Sequence, residues 1–196
     1  KEDAVLRVTP SQLDELLHPI VDPSAEKTAK PLAKGLPAGP GGACGFIVFD
    51  TESAIKARKE GKEAILVREE TNPEDIEGMR AADGLLTARG GMTSHAALVA
   101  RGWGKCCIVG CEALKIDYDK KTVAVGETVL NEGDFITLNG SSGDVYNGLL
   151  KLVQPELPES YTILMKWVDE IRKIQVRTNA DTPYDAKKAV ELGAQR

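Results

Sequence analysis

Short apolar runs punctuated by turn-forming residues dominate the chain from Gly45 onward, and their lengths separate strands from helices. Gly45 to Asp50 (GFIVFD) reads as a strand, Thr51 to Glu60 as a helix ended by Gly61, and Ala64 to Arg68 (AILVR) as the next strand. Asn72-Pro73-Glu74-Asp75 then starts another helix, with acidic residues in the first turn where the helix dipole favours them. Gly84 to Thr87 (GLLT) predicts a third short strand. Further strands are expected over Cys106 to Val109, Thr122 to Val125 and Phe135 to Leu138, separated by turns at Asp117 to Lys120 and Asn131 to Asp134. Helices alternate with strands in the first half and hairpin-like strands fill the second, so a compact mixed α/β domain is expected.

The flanks read differently. Thr9-Pro10-Ser11-Gln12 opens a short helix, with Thr9 as N-cap, Pro10 in the first helical position and Gln12 where a capping-box partner belongs. It should stop near His18, because Pro19 disfavours helical backbone in the residue before it. From Pro31 to Gly42 the sequence PLAKGLPAGPGG has seven Gly or Pro among its twelve residues, which marks a stiff loop or a boundary. Residues 1–34 are therefore expected to be a linker and 35–152 the domain. Tyr161, Leu164, Val168 and Ile171 share one helical face, predicting a linker helix within 153–173. Ile174 to Arg177 reads as a strand, and Thr182-Pro183-Tyr184-Asp185 caps a helix running toward Gly193. Residues 174–196 thus look like the first βα unit of a further, truncated domain.

Composition narrows the function. The 196 residues carry 25 Lys and Arg against 30 Asp and Glu, a net charge of -5 without a run of like charges, so nucleic acid is not an expected partner. Apolar stretches such as Ala64 to Val67 are too short to span a bilayer, and no signal peptide opens the chain, so a cytoplasmic protein is expected. Cys44, Cys106, Cys107 and Cys111 are too few and too bunched for a disulfide framework. A metal site built from these thiols and His95 lacks any C-x-x-C or H-x-x-x-H spacing, and none is expected.

Chemistry concentrates in Arg89 to Gly104, RGGMTSHAALVARGWG. Thr93 or Ser94 can serve as N-cap, His95 falls in the first helical turn, and Gly102 is expected to end the helix. Gly90 and Gly91 permit the backbone turns of a close approach. Free N–H groups at such an N-terminus favour an anion, by roughly 0.3–1 kcal/mol when exposed and about 2 when partly buried. The same field disfavours imidazolium, and only neutral imidazole has a lone pair with which to attack phosphorus. Thr93 or Ser94 can also bond a phosphate oxygen, and Arg89 or Arg101 can pair with it in fork geometry. The plainer alternative makes His95 a half-buried capping residue, the hydroxyls simple caps and the arginines solvated surface.

Beyond its spacing, GGMTSHAALVARGWGKCCIVGC (Gly90 to Cys111) closely resembles the phosphohistidine segment of pyruvate, phosphate dikinases. LLHP (Leu16 to Pro19), GLPAGPGGACG (Gly35 to Gly45), AILVREETNPEDIEGM (Ala64 to Met79), NGSSGDVY (Asn139 to Tyr146) and VRTNADTP (Val176 to Pro183) resemble that family in the same order. Gly39 departs from it, since relatives more often carry serine in this turn. Phosphoenolpyruvate synthases and Enzyme I of the sugar phosphotransferase system share the G-G-x-[TS]-x-H core, so a sister phosphocarrier is the alternative, and a non-catalytic module on the same fold a third reading.

The resemblance implies a swivelling β/β/α domain between an ATP-grasp domain and a TIM barrel of the same polypeptide, in an enzyme expected to be a homodimer. The family converts ATP, phosphate and pyruvate to AMP, pyrophosphate and phosphoenolpyruvate. By that likeness His95 is the nucleophile toward the β-phosphorus of ATP, with Gly91, Thr93, Ser94 and Arg101 orienting phosphate. Thr93 matches a threonine that a regulatory protein phosphorylates in plant relatives. Magnesium is implied for the full enzyme, held by the other domains and not by this segment.

Overall fold

The computed structural model describes residues 1–178, 182–191 and 194. The chain divides into two compact units, Ser11–Pro155 and a smaller one of Lys1–Pro10 with Glu156–Arg196. In chain order, α1 (Glu2–Arg7) and α2 (Pro10–Glu15) precede β1 (Ile20–Val21), α3 (Pro23–Thr28), β2 (Ala33–Lys34), β3 (Leu36–Gly39) and β4 (Gly42–Val48). There follow α4 (Thr51–Lys59), β5 (Ala64–Arg68), a 3₁₀ turn (Pro73–Asp75), α5 (Ile76–Ala81), β6 (Gly84–Thr87), α6 (His95–Trp103) and β7 (Cys106–Val109). The short strands β8 (Lys115–Asp117), β9 (Thr122–Val125) and β10 (Thr128–Asn131) lead to β11 (Phe135–Asn139), β12 (Asp144–Asn147) and β13 (Leu152–Val153). The smaller unit contributes α7 (Glu159–Ile171) and α8 (Pro183–Glu191).

An eight-stranded sheet runs β2-β12-β11-β4-β5-β6-β7-β3. Its central strands β4, β5, β6 and β7 are parallel, and the outer strands pair antiparallel on both sides. Both faces of the parallel strands are covered, which is why they read as unbroken apolar runs. Ala64 and Leu66 of β5 face Ala54 and Ala57 of α4, Met79 of α5, and Ala96, Ala97 and Ala100 of α6. Ile65 and Val67 point the other way, into a core with Val123, Val125 and Leu130 of the three-stranded sheet β10-β9-β8. Helices, large sheet and small sheet therefore form three layers, the β/β/α arrangement that the resemblance implied.

The stretch from Pro31 to Gly42 is built into the sheet. It contributes β2, β3 and the start of β4, while β1 pairs with β13. Pro37 is compatible with β3 because that strand lies at an edge and pairs only with β7. Glycine at position 39 suits the same contact, since a Cβ there would collide with the Lys105 carbonyl of the approaching chain. Strands β2 and β3 occupy opposite edges of the sheet yet are separated in sequence by Gly35 alone. The sheet must curl until its edges meet, although they share no ladder and the barrel stays open.

Ile174 to Arg177 does not form the expected strand. Among the described residues it has no pairing partner, and a lone strand leaves its backbone groups unpaired; Ile174 and Val176 are 83% and 49% exposed. The helix expected after Thr182 is present as α8, while Gly193 lies outside the described residues.

Gly35, the single residue between the two edge strands β2 and β3, is tightly packed. A Cβ there would lie 2.6 Å from Ile108 Cγ2 and 2.8 Å from the Val109 carbonyl oxygen. Gly35→Ala should lower the unfolding free energy by about 1–3 kcal/mol through overpacking; a denaturant titration with an unchanged midpoint would contradict this.

Candidate active site

Strands β5 and β6 end side by side, and the pairing continues past both. Ala88 N–H donates to Arg68 O at 3.0 Å and Arg89 N–H to Glu69 O at 2.8 Å. Thr87, fully buried, donates its hydroxyl to Arg89 O at 2.6 Å and tightens the exit. The chain then leaves the sheet at Gly90, whose φ of +102° favours glycine. Gly110 passes so close that a Cβ would lie 2.6 Å from Gly90 O.

The turn is closed by Ser94 N–H donating to Gly91 O at 2.9 Å, and α6 begins with His95. Of the two expected caps, Ser94 is the one used, its hydroxyl accepting from Ala97 N–H at 3.4 Å. Gly104, not Gly102, ends the helix: it adopts the left-handed conformation at φ +63° and bonds the carbonyls of Ala100 and Arg101. Three alanines, Ala96, Ala97 and Ala100, form the buried face, so α6 lies close to the sheet and its first residue is firmly placed.

His95 is half-buried at this N-terminus, and its Nδ1 lies 3.0 Å from the hydroxyl of Thr71. Its other ring nitrogen has no hydrogen-bond partner among the described residues. Thr71 sits in the loop after β5, 24 positions from His95 in sequence, and sequence reasoning missed it. The available signal was positional: a hydroxyl just past the carboxyl end of the AILVR strand. The carboxyl edge of parallel strands is where ligands gather in open α/β sheets.

Other candidate residues surround this pair. Gly91, Thr93 and Ser94 form the turn immediately before His95, with the Thr93 side chain exposed. Arg101 Nε donates to Ala97 O at 3.1 Å and its Nη2 to Met92 O, so the guanidinium braces the turn against the helix. Arg89 is exposed.

A cleft of about 310 Å³ lies elsewhere, at the amino ends of the parallel strands, lined among others by His18, Cys44, Glu63, Asp83 and Lys105. Its groups are already engaged. The Lys105 ammonium donates to the carbonyls of Arg80 and Ala82. Burial, assisted by the Glu63 carboxylate 3.5 Å away, pushes the Cys44 thiol up to about 11. His95 lies away from this cleft, beyond the carboxyl ends of the same strands. Among the described residues no group of three His, Cys, Asp or Glu side chains is placed to hold a metal ion, and no helix is long and apolar enough to cross a membrane.

The family described as "PEP-utilising enzyme, mobile domain" matches residues 60–143, which contain both Thr71 and His95. Along the whole chain, "Pyruvate, phosphate dikinase 1, chloroplastic" of Arabidopsis thaliana is 51% identical over 196 residues. "Pyruvate, phosphate dikinase" of Rhizobium meliloti is 49% identical over 195 residues. The chain is similar to pyruvate, phosphate dikinases along its whole length. It spans 20% and 22% of the length of those two relatives. Among solved structures, an NMR structure of Enzyme I covers 55% of this chain and 36% of its own at 21% identity, with a TM-score of 0.32.

Three of the four thiols are buried and Cys44 is half-buried. Burial raises Cys106 to about 12 and Cys111 to about 11, and raises Cys107 as well. Because the thiolate is the reactive form, a maleimide near neutral pH should modify the folded chain slowly and at Cys44 alone, and all four cysteines after denaturation. Rapid labelling of Cys106, Cys107 or Cys111 in the native chain would contradict their placement.

Proposed function

We propose that this chain is the phosphohistidine carrier of a pyruvate, phosphate dikinase, with His95 Nε2 as the atom that takes and releases the phosphoryl group. The observation that carries the reading is the contact between Thr71 Oγ1 and His95 Nδ1 at 3.0 Å. When the Thr71 oxygen accepts from Nδ1–H, the imidazole is held in the tautomer whose Nε2 bears the lone pair. Nothing among the described residues competes for that nitrogen.

In the proposed sequence Nε2 attacks the β-phosphorus of ATP and AMP leaves. Inorganic phosphate removes the terminal group as pyrophosphate, and the phosphoryl group left on Nε2 passes to the enol oxygen of pyruvate. First-turn N–H groups of α6 face the added oxygens, and the helix dipole contributes about 2 kcal/mol at a half-buried end. Gly91, Thr93 and Ser94 shape the turn around those oxygens. Arg101 acts first as a brace on Met92 O, keeping the turn open for phosphate. A phosphate on the exposed Thr93 hydroxyl would set a dianion beside His95 and repel the incoming group, a means of regulation.

The donor and acceptor sites belong in this reading to an ATP-grasp domain and a TIM barrel of the same polypeptide, in a homodimer. Magnesium belongs to those domains, and no step at His95 runs through it. The unit Ser11–Pro155 is the moving body. Segments before it and after Pro155 serve as linkers, and residues 174–196 begin the barrel domain. Such a carrier must undock between sites, which calls for modest, polar contacts with its neighbours.

Incubation with a dikinase barrel domain and radiolabelled phosphoenolpyruvate should put an acid-labile label on the chain. His95→Asn should abolish it and His18→Asn should retain it. Label persisting in His95→Asn, or none on the parent chain, would overturn the proposal; charging only by an Enzyme I or phosphoenolpyruvate synthase barrel would reassign it to a sister enzyme.

A further inference from the structure

The hydroxyl that meets His95 sits on a loop that is anchored from below by the side chain of Arg68. Arg68, the last residue of β5, lies under this loop and makes three contacts. Its Nη1 donates to Phe49 O at 3.0 Å, its Nη2 lies 3.3 Å from a carboxylate oxygen of Asp75, and its guanidinium stacks 5.2 Å from the Tyr118 ring centroid. Arg68 Nε is buried without a partner, so these three contacts set the plane of the group. Asp75 is buried and accepts from Asn72 N–H at 2.9 Å, which fixes the residue next to Thr71.

Tyr118 closes the arrangement from the turn between β8 and β9. Its hydroxyl accepts from Glu69 N–H at 2.8 Å, while the carbonyl of the same Glu69 accepts from Arg89 N–H. Both segments that form the site therefore meet at Glu69: the loop carrying Thr71 continues from it, and the turn carrying His95 begins beside it. Tyr118 is itself steadied by an edge-on contact with Phe49, with ring centroids 6.4 Å apart.

We propose that Arg68 and Tyr118 are positioning residues for His95, which hold the Thr71 loop at the distance where its hydroxyl fixes imidazole Nδ1 and leaves Nε2 outward. Neither touches the phosphoryl group. The inference rests on the carrier reading for its kinetic consequence, but its geometric consequence is independent of it.

The test compares Tyr118→Phe, Arg68→Lys and Thr71→Val in the present chain. Ring-nitrogen NMR reports the tautomer of His95, and phosphoenolpyruvate with a dikinase barrel domain reports the loading rate. Tyr118→Phe deletes one hydroxyl and keeps the stacked ring, so the fold, followed by amide spectra, should persist. Both Tyr118→Phe and Arg68→Lys should move the His95 ring signals toward those of Thr71→Val. Loading should slow about three- to tenfold, the scale of one lost hydrogen bond, with the half-saturating barrel concentration unchanged. Should Arg68→Lys unfold, Tyr118→Phe alone decides. Ring signals and loading identical to the parent in Tyr118→Phe, beside a clear shift in Thr71→Val, would overturn the proposal. Absence of label on the parent chain would sink the carrier reading instead, while the ring signals would still decide the positioning role.

Discussion

Two hydrogen bonds that extend the β5–β6 pairing beyond its strands hold the site together, from Ala88 to Arg68 and from Arg89 to Glu69. Parallel strands deliver their carboxyl ends to the same edge, and these bonds keep the two departing chains in register for two residues more. Thr71 and His95, 24 positions apart in sequence, are brought within hydrogen-bonding distance as a result. Each neighbouring feature serves that meeting: Gly90 allows the chain to turn out of the sheet, Gly110 leaves room for it, and the alanine face of α6 seats the helix close.

Much of this was legible in the sequence where one local rule sufficed. AILVR and GLLT read as strands because apolar runs of that length with turn signals on both sides have few other uses, and they form at Ala64–Arg68 and Gly84–Thr87. His95 fell in the first turn of its helix because a hydroxyl cap and a glycine pair precede it. Pro31 to Gly42 was read as a boundary or stiff loop since Pro and Gly usually break structure, yet an edge strand needs only one side for pairing and accepts Pro37. Gly102 was expected to end α6, but the helix runs on to Trp103 and ends at Gly104, which takes the left-handed conformation. Thr71 was not legible, because its role arises from strand order, which a one-dimensional pattern does not contain. Ile174 to Arg177 shows the converse: a strand-like composition finds no pairing partner among the described residues.

The exposed surface near His95 fits an object that works by contact with other bodies. Met92, Leu98 and Trp103 are 41%, 57% and 37% exposed around a helix whose inner face is alanine. The family match, over residues 60–143, contains both members of the Thr71–His95 pair. In the proposed reading, the three-layer unit Ser11–Pro155 carries a phosphoryl group between sites on His95 at its edge.

In the proposed reading, Thr71 occupies one imidazole nitrogen so that the other carries phosphorus. Phosphorus–nitrogen correlation NMR on the phosphorylated chain, with the histidine ring nitrogens labelled, tests it most directly. The account predicts phosphorus bonded to Nε2 of His95 with Nδ1 protonated; phosphorus on Nδ1, or on any other side chain, would contradict it.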